Sequence, residues 1–253
     1  MVAKTVTYTA LAGVPLIGPG DDLAGLLSDA LAVAQIVPQD GDVLVIAQKI
    51  VSKAEGRYVD LSRVTPTQRA HELAAATHKD SRLVEVILAE SSEVVRHAKD
   101  VLIVAHRLGF VMANAGVDQS NIEGPDRVLL LPENPDASCA ALKAAFDRRF
   151  GVDLAVVIND SFGRAWRNGV VGVALGAAGL PALRNLVGAP DLFGRPMRVT
   201  EVAVADELAA AASLVMGQAD ERIPAVHVRG LRFGEAPCNA ATLIRPKHMD
   251  LFR

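Results

Sequence analysis

Aromatic residues are scarce: they make up 4% of the 253-residue chain, with one tryptophan. So sparse a set gives no row of rings on which single-stranded nucleic acid could stack. Neither charge is in large excess. Lysine and arginine number 26 against 29 aspartates and glutamates, for a net charge of -3. A nucleic-acid or anionic-membrane partner calls for a basic surplus, so neither is expected. Cations that meet an anion must be placed locally. Cys139 and Cys238 are the two cysteines, far apart and without metal spacing. They read as free thiols of a reducing cytoplasm, not as a disulfide framework. The six histidines show no paired zinc spacing. No uncharged apolar run reaches the roughly 20 residues that span a bilayer. The N-terminus lacks the apolar core of a signal peptide. A cytoplasmic protein is expected. The Walker A sequence, G-x-G-x-x-G and G-x-S-x-G are all missing.

What is present is ample apolar material, 51% of residues, enough for one large domain or two small ones. Residues 5–11 alternate like a strand. A Gly/Pro loop over 13–23 leads to a helix capped by Asp21 or Asp22. Residues 42–56 start as a buried strand and end in a polar, basic turn. Thr65, Pro66 and Gln68 form a capping box before a helix at 65–79. A second helix is expected over 81–95. Two strands should meet near Gly109, and a short strand should precede Pro132. Asp136 and Gly151 bracket a helix. "LAVVIND" is a strand. A helix capped by Asp206 closes at Gly217, and "IPAVHVRGL" is the last strand. Strands arrive in adjacent pairs, not in β-α-β alternation. That predicts an α+β fold with mixed or antiparallel sheets and flanking helices.

Three strand-like runs end in polar loops: "VLVIAQKIVSK", "VMANAGVDQSN" and "VVINDSFGR". Asp118 and Asp160 stand just past two of them. With Ser161 and the neighbouring amides they offer oxygen donors, which suit Mg²⁺ or Mn²⁺ better than zinc. Single aspartates in such loops also simply cap turns. Lys49, Lys53, Arg164 and Arg167 lie close by in sequence. They are either anion ligands or solvated charge. Gly163, Gly169, Gly172 and Gly176 allow close backbone approach to a ligand, or mark bulges. Trp166 could pack its loop down between the two arginines.

The segments "VPLIGPGDDL", "GDVLVIAQKIVSKAEGR", "ANAGVDQSNI", "LLLPENPDAS", "INDSFGRAWRNGVVGVALGAAGL" and "VADELAAAASLVMG" occur in one order across nearly the whole chain. Together they resemble the coenzyme F420-0:γ-glutamyl ligase family. The resemblance implies a single ligase-like unit over 1–253, undivided or built of two intimately packed subdomains. No C-terminal nitroreductase-like domain is expected. It implies a homodimer, and GTP-dependent addition of L-glutamate to the deazaflavin coenzyme F420-0 through an acyl phosphate. Two divalent ions, Mg²⁺ or Mn²⁺, and monovalent K⁺ would assist. A metal-dependent phosphohydrolase and a non-catalytic nucleotide-binding protein of the same fold are the alternatives.

Position by position, the resemblance puts nucleotide contacts on Val14, Pro15, Leu16 and Ile17, on Gln48, Lys49 and Lys53, and on Asn121. A further nucleotide stretch falls on Met216, Gly217, Ala219, Asp220, Glu221, Arg222 and Ile223. Metal ligands fall on Asp118, Asp160, Ser161 and Gln218. Arg164 and Arg167 are the candidate catalytic residues, one turn beyond Asp160. If that segment is helical they share a side; if it is extended they are expected on opposite faces.

Overall fold

The computed structural model describes residues 5–251. In chain order the elements are β1 (Thr7–Ala10), α1 (Leu23–Val33), β2 (Val43–Ala47), α2 (Gln48–Ala54) and β3 (Tyr58–Asp60). Next come α3 (Gln68–Thr77), α4 (Ser81–Ala89), β4 (Ser91–Ala98), β5 (Val101–His106), β6 (Val111–Ala113) and β7 (Arg127–Leu129). The remainder is α5 (Pro135–Phe150), β8 (Ala155–Arg164), β9 (Arg167–Ala178), β10 (Arg184–Asn185), β11 (Glu201–Val202), α6 (Val204–Met216) and β12 (Ala225–Arg229).

The main sheet has the order β1-β12-β2-β8-β9. Only β2 and β8 run parallel; the other neighbours are antiparallel. The mixed α+β architecture is therefore as expected. Alternation along the central strands feeds two cores. Leu44, Ile46, Val156 and Ile158 pack on one face with α1 and α5, and Val43, Val45, Val157 and Ala177 on the other with α6. Strands buried on both faces read as continuous apolar runs, which is what "VLVIA" and "LAVVI" are. A third core joins α3 and α4 to β5 and β7 through Leu73, Ile87, Leu102 and Val128.

Several local expectations change. The polar turn after β2 is helix α2, because Gln48 buries its amide on Ser52 and the Leu130 carbonyl. Thr67, not Thr65, caps α3; its hydroxyl accepts from the Ala70 N–H, while Glu85 from α4 takes the Thr67 N–H and hydroxyl. The helix expected over 81–95 stops at Ala89, and Ser91–Ala98 pairs with β5 as a strand. Its β-branched and polar tail fits a half-exposed strand, and tertiary pairing overrides helix continuation. Asn134 caps α5, which frees Asp136 to accept N–H groups from Ala177, Ala240 and Ala241. Asp206 likewise caps nothing: α6 starts after Ala203 without a side-chain cap.

Two of the glycines serve packing. A Cβ on Gly172 would lie 2.3 Å from the Ala209 carbonyl oxygen of α6, and one on Gly176 2.4 Å from the Pro135 carbonyl oxygen. β9 is thus flanked by helices at backbone contact distance. Both cysteines are free. Among the described residues no helix is long and apolar enough to cross a membrane.

Candidate active site

β2 and β8 are parallel, so both deliver their C-terminal ends to the same edge of the sheet. Parallel strands commonly present ligand sites there. α2 starts at once after β2 and carries Lys49 and Lys53. β8 continues past its partner with Asp160 and Ser161. Opposite them the loop after β6 brings Asp118, held in place by paired backbone bonds with Leu129 at 3.0 and 2.9 Å. A cleft of about 820 Å³ opens between these pieces.

Its walls gather widely separated parts of the chain. Val14, Pro15, Leu16 and Ile17 form one side, with Ile17 buried and Leu16 92% exposed. Gln48, Lys49 and Lys53 contribute from α2, and Asp118 and Asn121 from the loop after β6. Asp160 and Ser161 come from β8. Met216, Gly217, Gln218, Ala219, Asp220, Glu221, Arg222 and Ile223 follow α6 along the far side. Met112, Phe162 and Ser213 also line the cleft and carry no motif by which the sequence alone would have flagged them.

Lys49 Nζ lies 2.7 Å from Asp118 Oδ2 and donates to Ser120 Oγ at 2.7 Å. Lys53 Nζ donates to the Asn121 carbonyl oxygen at 2.8 Å. Burial lowers the Lys53 pKa, and the Lys49 charge lowers it further. Burial pushes the Asp118 carboxyl up, yet Lys49 and the Ser120 N–H outweigh it and hold it below its ordinary range. Asp160 behaves oppositely. Burial, aided by the Asp118 charge, pushes its carboxyl up to about 6, although the Ser161 N–H donates to its Oδ1 at 2.8 Å. Ser161 Oγ in turn donates to Gln218 Oε1 at 2.7 Å. Lys49 is thus paired with Asp118, while the half-buried Asp160 has no cation of its own among the described residues. Perturbed carboxyls and amines gathered in one cleft mark a candidate functional site.

Arg164 and Arg167 do not line the cleft, whose β8 segment ends at Gly163. They are cross-strand partners at the end of the β8–β9 hairpin. The segment is extended, so neither lies one helical turn beyond Asp160. Nor do the arginines diverge: directly opposed residues of antiparallel strands share a face. Trp166 sits at the hairpin tip with φ 58° and is 78% exposed.

Residues 13–230 match the model of the F420-0:Gamma-glutamyl ligase family. The coenzyme F420:L-glutamate ligase of Methanothermobacter thermautotrophicus is 46% identical over 250 residues, covering 98% of this chain and 99% of its own. Its namesake in Methanopyrus kandleri is 48% identical over 240 residues, 93% of this chain and 92% of the relative. That of Methanocaldococcus jannaschii is 44% identical over 221 residues, 87% and 88% of the two chains. With the match running from the Val14 loop through the cleft to β12, the chain belongs to the F420-0:γ-glutamyl ligase family.

Proposed function

We propose that the protein joins L-glutamate to coenzyme F420-0 at the expense of GTP. The observation that carries this reading is the convergence of Lys49, Lys53, Asp118, Asp160 and Ser161 in one cleft, in a chain akin to ligases named for that coenzyme and amino acid. GTP transfers its γ-phosphoryl group to the precursor's terminal carboxylate, giving GDP and an acyl phosphate. The glutamate amine attacks the acyl carbon. Phosphate leaves with the carbon–oxygen electron pair, and the amine proton passes to solvent. No covalent enzyme nucleophile is needed; positioning and electrostatics supply the rate.

Lys49 and Lys53 meet the phosphates, where an anion offsets the burial and the Lys49 repulsion that lower the Lys53 pKa. Leu16 offers the base an exposed apolar surface beside the 14–17 backbone. Asn121 and the 216–223 stretch complete the nucleotide walls. Asp118, Asp160, Ser161 and Gln218 would hold Mg²⁺ or Mn²⁺, which neutralises phosphate oxygens. The donor set fits, being all oxygen, and a cation would stabilise the Asp160 carboxylate, whose pKa burial raises. Among the described residues no three His, Cys, Asp or Glu converge. The Ser161 and Gln218 oxygens and the phosphates themselves would supply the remaining ligands. K⁺ would assist from the same cleft.

Mass spectrometry of the acceptor after incubation with GTP, Mn²⁺ and glutamate tests the reaction. Stepwise glutamyl additions are expected. GTP hydrolysis that ignores glutamate would replace this reading with a phosphohydrolase.

Lys53→Ala should weaken GTP binding by about 1–3 kcal/mol, the scale of a charge-assisted hydrogen bond. Calorimetric titration checks it, and an unchanged affinity removes Lys53 from the nucleotide site.

The opposed arginines carry a cross-strand repulsion that an anion would offset. If they orient the anionic acceptor, Arg164→Lys and Arg167→Lys should raise its KM and leave GTP affinity alone, because lysine lacks the planar fork. Wild-type kinetics in both would make them surface charges.

A homodimer fits the exposed apolar side chains Leu192, Phe193 and Trp166 and the prevalence of two-fold pairs. Light scattering should give twice 26.6 kDa; a monomer at micromolar concentration overturns it.

A further inference from the structure

Helix α6 lies against the hairpin directly behind Asp160 and Ser161. Gly172, the cross-strand partner of Ser161, permits the approach: a Cβ there would fall 2.2 Å from Ser213 Oγ. From this contact α6 grips the two strands at adjacent points. Ser213 Oγ accepts from the buried Asn159 Nδ2 at 3.0 Å and donates to the Ala209 carbonyl oxygen at 2.9 Å. Asp206 Oδ1 accepts from the Ala174 N–H at 2.9 Å. Ala174 is the cross-strand partner of Asn159.

The pairing slips at this very place. Ile158 pairs with Gly176 and Asn159 with Ala174, which leaves Leu175 as an extra residue on β9. Bulges recur beside active sites because they re-aim a side chain. They also need pinning, since a one-residue slip sends every following side chain to the other face. Asp160 and Ser161 are the residues that follow.

We propose that Asp206 and Ser213 are positioning residues of the candidate metal site: they lock the bulge and so set the direction in which Asp160 and Ser161 enter the cleft. This rests on the reading of Asp160 and Ser161 as metal ligands. Simple adhesion between α6 and the sheet would use the same hydrogen bonds, but its loss would lower stability without singling out metal. Losing a direct hydrogen-bond partner of a metal ligand typically weakens metal binding by about 10–100-fold. Asp206 and Ser213 act one residue further back, through Ala174 and Asn159, so the lower end, about 10-fold, is expected.

The test uses the full chain with Mn²⁺ as the probe, reading the free ion by electron paramagnetic resonance with GTP present. Melting temperature and GTP affinity in EDTA serve as controls. Asp206→Ala and Ser213→Ala should each weaken Mn²⁺ binding by about 10-fold. Asp206 lies outside the cleft lining, so its loss should leave metal-free GTP affinity unchanged. Asp206→Asn keeps a carbonyl oxygen for the Ala174 N–H and should restore binding. Parental Mn²⁺ affinity in a folded Asp206→Ala or Ser213→Ala protein overturns the inference. So does an Asp206→Asn variant as weak as Asp206→Ala. If Asp206→Ala does not fold, Ser213→Ala decides under the same limits. Asp160→Ala separates the two levels. If it binds Mn²⁺ like the parent, the metal assignment falls and the positioning role falls with it. If it is weak while Asp206→Ala and Ser213→Ala are not, the positioning role alone falls.

Discussion

Asp160→Asn should abolish glutamyl transfer and, in the same protein, raise the melting temperature of the metal-free chain at pH 8. Burial and the Asp118 charge push the Asp160 carboxyl up to about 6 from an ordinary value of 3.8. A carboxyl raised on folding stabilises the fold only while protonated. Its contribution is complete below the unfolded value and disappears as pH rises through 6. Above that the chain carries a half-buried carboxylate close to Asp118. Two pKa units correspond to roughly 3 kcal/mol, which water in the open cleft reduces to about 1–2 kcal/mol. At some 2–4 °C per kcal/mol for a chain of this size, the gain should be about 2–8 °C. Asparagine keeps the shape and removes the charge, so the gain should vanish at pH 4. Scanning fluorimetry in EDTA at the two pH values checks this, and the ligation assay at saturating Mn²⁺ checks the loss. Near-normal turnover would remove Asp160 from the metal site. Asp118→Ala should abolish turnover as well, but without the stability gain, because Lys49 would lose its partner.

The largest structural loss is expected from Asp42→Ala, at the opposite end of β2. The Asp42 carboxylate is 1% exposed and accepts from Arg229 at 2.9 and 2.6 Å, from the Gln39 N–H at 2.9 Å, and lies 2.8 Å from His227 Nε2. Burial pushes its pKa up, but Arg229 and His227 outweigh this and hold it below the ordinary value. Its contribution is therefore present at neutral pH and lost as pH falls. Truncation leaves the buried His227 without its hydrogen-bond partner and the partly exposed Arg229 without its counter-charge, which costs about 2–4 kcal/mol. Chemical denaturation should show that loss, and Asp42→Asn should recover part of it. A change below about 1 kcal/mol would class the cluster with surface pairs. Assayed below its melting point, the variant should keep its GTP affinity, since the cluster lies a full strand length from the cleft.

Much of the fold was legible because the central strands announce themselves. "VLVIA" and "LAVVI" are apolar without alternation, and only burial on both faces sustains that. The paired strands around Gly109 and the helix ending at Gly151 were equally plain. Boundaries set by tertiary partners were not. Residues 91–98 form a strand because β5 lies beside them, and Gln48 enters a helix because its amide finds Ser52 and Leu130. Asp136 and Asp206 looked like caps, since an aspartate before an alanine-rich run usually is one. Their true acceptor roles depend on β9 N–H groups far away in sequence. In the cleft, Asp118 and Asp160 were visible as acids ending apolar runs. Ser213 was not, because a serine within an apolar helix shows nothing until Asn159 is placed beside it. Arg164 and Arg167 are hidden for a related reason: three apart in sequence, they stand on two strands and face each other across the hairpin.

The strand order has a bearing on how the chain is made. Thr7 pairs with Arg229, and Val43 with Ala155. Long-range pairings of this kind close late, after the entropy of the intervening loops has been surrendered. As the polypeptide leaves the ribosome, the α3–α4 unit with β4, β5 and β7 draws on neighbours in sequence and can condense first. The parallel β2–β8 pair must wait for it, and β1 stays without its neighbour until β12 has been synthesised. The edge that bears the cleft is therefore among the last parts to form during biosynthesis. In a nascent chain the apolar strand β2 has no sheet neighbour until β8 has been synthesised, and slowed elongation or chaperone shortage should harm this protein's yield more than its finished stability would suggest.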